Sequence, residues 1–122
     1  MSSSNAQPLV KGEILFSKEL GSFSGATVNV YLEDVSLLDA PAKIVAKQVM
    51  ADLHHSMGTE NRGTFALQGE IADIRARYAI RVHVSLHGGE QIHRGDSIST
   101  ESYPVLTFGY PNQVSVRVAE VK

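Results

Sequence analysis

The side chains best suited to chemistry in this sequence are its five histidines, His54, His55, His83, His87 and His93. Imidazole ligates zinc and shuttles protons, so the first question is whether any of these can meet. His83 and His87 lie four apart in an alternating segment, which puts them on one face of a strand but ~13 Å apart by strand rise. Two ligands of one zinc must each reach it at about 2 Å, so a straight strand keeps that pair apart. His87 and His93 flank Gly88-Gly89 and can meet across a turn, with Glu90 and Asp96 close in sequence. An exposed polar face followed by a tight turn accounts for these residues, and no metal site is expected. His54 and His55 are adjacent, so on a strand they point to opposite faces and do not chelate together. The sequence contains no Cys, which excludes disulfides, thiolate catalysis and Cys-based zinc sites.

Nucleophilic chemistry finds no frame either. No Gly-x-Ser-x-Gly elbow occurs, and Gly21-Ser-Phe-Ser-Gly25 reads as a turn between two strands. Asp34, Asp39 and Asp96 fall in or beside turns, where carboxylates bond local backbone. No phosphate loop or dinucleotide fingerprint is present. No catalytic residue, cofactor or metal is expected. Tyr103, Phe108 and Tyr110, with Pro104 and Pro111, form an aromatic cluster. It reads either as the packing of a strand end or as a surface patch for a protein partner or a sugar.

The elements that must carry these residues are strands. Val10, Ile14 and Phe16 share one face, as do Ala26, Val28, Val30 and Leu32, then Tyr78, Ile80, Val82, Val84 and Leu86, then Val114, Val116 and Val118. Arg81, His83, Ser85 and His87 are expected to face water opposite the third set. Phe65 and Leu67 mark a short strand and Tyr103 to Phe108 another, with Pro104 at an edge or strand start. Residues 57–63 read as a loop. Residues 42–53 fit a strand through Ile44, Ala46 and Gln48, or a helix through Ile44, Val45, Val49 and Leu53; the strand is favoured for Ala42 to Val49. Seven to eight short strands predict an all-β fold, a single-domain antiparallel β-sandwich over residues 9–122 of immunoglobulin- or transthyretin-like type. Residues 1–8 read as a disordered tail or linker.

A formal net charge of −2 leaves no electrostatic footprint for nucleic acid. No stretch approaches the roughly 18–20 apolar residues of a membrane helix. The polar opening Met1 to Pro8 lacks the basic and apolar regions of a signal peptide, which leaves a cytoplasmic location open.

Three segments carry a family resemblance: residues 25–36 (GATVNVYLEDVS) followed by 39–46 (DAPAKIVA), residues 76–84 (ARYAIRVHV), and residues 95–107 (GDSISTESYPVLT). In this order and spacing they resemble the YscW/YbaY-like family of small envelope lipoproteins, which includes pilot lipoproteins of type III secretion systems. The resemblance spans residues 10–120. It implies a compact β-sandwich, no catalytic activity, a protein partner in the bacterial envelope, and a periplasmic or outer-membrane location. Relatives are anchored by a lipidated N-terminal Cys, which this chain lacks, so it implies membrane contact only through an anchor absent here. Relatives also carry an acidic hairpin before the Gly-Asp pair; here that stretch is residues 86–94 (LHGGEQIHR), most of its acidic positions replaced, so no cation role is carried over. Two other functions remain open: a carbohydrate- or polymer-binding module using the Tyr103 to Tyr110 region, and a small hydrolase.

Overall fold

The computed structural model describes residues 8–37, 39–71 and 73–122, so all but the last residue of the expected tail lies outside the described residues. Every regular element among them is a strand: β1 (Val10–Phe16), β2 (Phe23–Asp34), β3 (Lys43–His55), β4 (Asn61–Leu67), β5 (Tyr78–Ser85), β6 (Ser97–Ser99), β7 (Tyr103–Val105) and β8 (Gln113–Glu120). The strands form one hydrogen-bonded path in the order β3-β2-β5-β6-β8-β1-β4, with β7 also pairing β5. All pairings are antiparallel except β1 with β8.

The fold is therefore all-β, as the alternation requires, but the two separate sheets of an immunoglobulin- or transthyretin-like sandwich are joined into one mixed sheet nearly closed as a barrel. The reason lies in β8. Its first half, Gln113 to Arg117, runs beside β1, and its second half, Val118 to Glu120, pairs with β6, so a single strand stitches both layers together.

The shared parity of apolar residues builds one core. Val10, Ile14, Ala26, Val28, Val30, Leu32, Val82, Val84, Val105 and Val116 are fully buried, with Phe16, Ile80, Phe65, Leu67 and Val118 beside them. Burying each large aliphatic side chain contributes about 1.5–3 kcal/mol. Val114 is half-buried and packs against this cluster. Gly12 sits where β1 presses closest to its parallel neighbour: a Cβ there would lie 2.0 Å from the Val114 carbonyl oxygen.

Four sequence expectations are corrected. The strand favoured for Ala42 to Val49 is present, but it begins at Lys43 and runs further than expected, to His55; its long ladder with β2 rules out the helix, with irregularities at three points and a left-handed Asp52 (φ 62°). The loop expected over residues 57–63 is shorter, because Asn61 to Gly63 pair with Phe16 to Ile14. The strand expected from Tyr103 to Phe108 stops at Val105, where Leu106 (φ 75°) and Phe108 (φ 57°) turn the chain left-handed. Finally, the second face of β5 is not in water. His83 and Ser85 are fully buried and Arg81 is partly so, while Leu86, expected in the core, is exposed. The connection that follows β5 folds back over that face and takes the place of solvent.

Candidate functional site

The backfolded connection, residues 86–95, is held by a buried polar hub. Asn29 on β2 and His83 on β5 are cross-strand partners with side chains on the same outer face. His83 Nε2 lies 2.9 Å from Asp96 Oδ2, and both side chains are fully buried. Asp96 also accepts the amides of Leu86 (3.0 Å) and His93 (2.9 Å), closing the loop at both ends. The Asn29 amide nitrogen donates to the Gly89 carbonyl at 3.0 Å and stands 3.4 Å from His83 Nδ1. The tautomer with its proton on Nε2 satisfies both of these neighbours at once. Burial alone would push the Asp96 carboxyl up, but the His83 bond and the two amides outweigh it and hold the carboxyl below its usual value.

One strand-width away the same loop is pinned by charge. Tyr31, almost wholly buried, is flanked in register by Lys47 on β3 and Arg81 on β5. The Arg81 guanidinium lies 4.2 Å from the ring centroid and the Lys47 ammonium 5.7 Å from it. Glu90 from the loop accepts the Tyr31 hydroxyl at 3.2 Å and pairs with Lys47 at 2.6 Å. Burial first, and then Glu90, raise the Tyr31 hydroxyl above its ordinary value. The Lys47 bond, followed by that of Tyr31, holds Glu90 below its own. Arg81 pairs with Glu33 at 3.0 Å. The arrangement is a strap tied down over the outer face of β2.

The histidines divide as follows. His87 and His93 meet edge to face, with centroids 5.0 Å apart, while His83 lies buried with Asp96. Among the described residues no three His, Asp or Glu side chains converge as a metal would require. His54 and His55 do face apart. His54 is exposed, and His55 is buried against Phe16 and Phe23, bonding Asn61 Oδ1 at 2.8 Å and the Leu20 carbonyl at 3.0 Å. His55 thus ties the β1–β2 turn to the β3–β4 turn.

The aromatic cluster is only partly assembled. Phe108 and Tyr110 are exposed and line a cleft of about 180 Å³ together with Val35, Arg77, Pro104 and Thr107. Arg77 stacks over Phe108 at 4.6 Å. Two left-handed non-glycine residues hold this turn, braced by the Thr107 hydroxyl on the Ala76 carbonyl at 2.7 Å. Tyr103 does not join them: its hydroxyl accepts the Arg117 amide at 2.9 Å and stays with β8.

The third feature is the open seam of the barrel. β3 and β4 are the two ends of the strand path and share no ladder. They are bridged by side chains, chiefly Gln48, whose Oε1 accepts the Ala66 amide at 2.9 Å. Beside this bond opens a groove of about 610 Å³ that runs across β4, β1 and β8.

A family model described as type III secretion system lipoprotein chaperone (YscW) matches residues 5–118. The chain belongs to the YscW family. No curated protein matches it. Among solved structures it is similar to an alternative pilotin from the type II secretion system of Vibrio cholerae, at 24% identity over 93% of this chain and 96% of that chain, with a TM-score of 0.65. At that identity the likeness speaks for the fold.

In this YscW-family chain the segments that carry the resemblance are structural. Residues 25–34 of the first segment lie in β2 and residues 78–84 of the second in β5, which pair with each other inside the strand path. Residues 95–107 supply Asp96 of the hub, β6, β7 and the brace at Thr107. Sequence reasoning placed Asp96 in a turn but missed its partners. The available signal was a polar residue, Asn29, at mid-strand in β2 and another, His83, at mid-strand in β5.

Proposed function

We propose that the protein is a non-enzymatic accessory protein of the bacterial envelope that engages a protein partner of a secretion apparatus, in the manner of a pilot or chaperone lipoprotein. The observation that carries this reading is the YscW match across residues 5–118. The geometry agrees with it: the buried pair of Asp96 and His83 is consumed in tying down the strap, whereas at the seam a backbone amide of β4 is held only by the side chain of Gln48. Residues 9–122 act as one domain, at the periplasmic face of the envelope. The surface of Phe108 and Tyr110 is a second contact for the same partner, since a strained, braced turn displays both rings to solvent. The test is deletion of the gene in its host, followed by measurement of assembly of the outer-membrane component of the secretion apparatus. Assembly should fail and return with the wild-type gene; unaltered assembly in the deletion strain refutes the reading.

A further inference from the structure

The Gln48–Ala66 contact has an unusual form for a sheet edge. In an antiparallel ladder, alternate backbone amides point to one neighbour and the intervening ones to the other. β4 pairs with β1 on one side, and the amide of Ala66 points to the other, open side. An open amide at an edge is a template for a further strand. Here it is occupied by a side-chain carboxamide, whose C=O has the same chemistry as a peptide carbonyl and binds at ladder distance, 2.9 Å. Gln48 is itself only half-buried, on the neighbouring strand in space, with the groove beside it lined by Lys11, Glu13, Thr64 and Phe65. Elsewhere along the seam a Cβ added at Gly63 of β4 would meet Leu53 at 3.4 Å, and one added at Gly69, just past β4, would meet Ala46 at 3.9 Å. These positions lack a bulky side chain on the β4 side.

We infer that Gln48 is a placeholder for the backbone of an absent strand, and that an extended segment of a protein partner displaces it and pairs with the open edge of β4, closing the barrel. The occupant is extended polypeptide because the group standing in its place is an amide carbonyl on a backbone N–H. The inference rests on the proposed envelope role and specifies the surface that role would use.

Overlapping synthetic peptides tiling the outer-membrane component of the host's secretion apparatus provide the probe, titrated calorimetrically into the intact chain. Two substitutions separate the outcomes. Ala66→Pro deletes the amide at a position where its N–H faces away from the ladder with β1, a place edge strands tolerate proline. It should keep a cooperative melt and weaken the binding peptide by about tenfold or more, the loss of an edge hydrogen bond and of the fit around it. Gln48→Ala removes the competitor and should tighten the same peptide about threefold, for the same reason in reverse. In the wild-type complex, exchange of the Ala66 amide with deuterium should slow, a readout that holds even if Ala66→Pro fails to fold. A peptide that binds Ala66→Pro and wild type equally, or leaves Ala66 exchange unchanged, overturns the inference and leaves the envelope role standing. If no peptide binds wild type, both fall. Self-association of the free chain through β4, seen as a dimer in sedimentation that Ala66→Pro abolishes, would make the occupant a second copy and overturn the inference as well.

Discussion

Replacing Asp96 by Ala should be among the most damaging single substitutions in the protein. The carboxylate is fully buried and accepts three hydrogen bonds: from His83 Nε2 at 2.9 Å, the His93 amide at 2.9 Å and the Leu86 amide at 3.0 Å. A buried donor left without an acceptor costs about 1–3 kcal/mol. The His83 donor is sealed; the two amides are partly buried and can recover some water. Counting the sealed donor in full and the amides in part gives about 3–5 kcal/mol. This matches the handful of mechanisms that produce large single-site losses. For a domain of this size the melting temperature should fall by roughly 12–20 °C, at about 4 °C per kcal/mol. Asp96→Asn is the informative companion. Whichever way the amide is turned, its NH₂ faces a backbone N–H, so one amide bond is lost and the cost should be about 1–3 kcal/mol. Urea unfolding followed by far-UV circular dichroism measures both, and hydrogen exchange should show faster opening at Leu86 and His93. A loss below about 0.5 kcal/mol for Asp96→Ala would mean that the hub does not hold the strap.

Gly12→Ala should destabilise by about 1–3 kcal/mol or more, because the new methyl would lie 2.0 Å from the Val114 backbone oxygen; a wild-type melting temperature would show that β1 and β8 are not so closely apposed. Val82→Asp should cost several kcal/mol, since Val82 is fully buried within the apolar core; an unchanged chemical unfolding midpoint would count against the assigned face. Acid should also weaken the hub. The Asp96 carboxyl is held below its ordinary value, so its contribution is complete above about pH 4 and is lost as pH falls through the depressed value. The gap in melting temperature between wild type and Asp96→Asn should therefore narrow below pH 4, and a gap that stays constant down to pH 3 would contradict the lowered value.

The core was legible because alternation is a direct record of which side of a strand faces inward. Val28, Val30, Leu32, Ile80, Val82, Val84, Val116 and Val118 are all buried together as their parity requires. The closure was not legible. Nothing local in Gln113 to Glu120 says that its halves pair with different strands, one parallel and one antiparallel, because register over long separations is set by the whole sheet. The polar face of β5 misled for a related reason. Arg81, His83 and Ser85 have the composition of a wet face, and only the return of residues 86–95, fixed by the distant Asn29 and Tyr31, makes it dry. Of the candidate surface, Phe108 and Tyr110 were visible as aromatics beside prolines, but Tyr103 left the group for the Arg117 amide. Gln48 was visible only as one position of a strand pattern. Its meaning depends on where that strand meets β4.

In-cell photo-cross-linking is the sharpest test that the protein acts by holding a protein partner. A photoreactive residue placed at Gln48, and in a second variant at Tyr110, should be expressed in the native host and irradiated, with adducts identified by mass spectrometry. Position 48 should give an adduct with a subunit of the secretion apparatus, mapped to one extended segment. If neither folded variant forms an adduct with any envelope protein, the claim that this chain acts by holding a protein partner is contradicted.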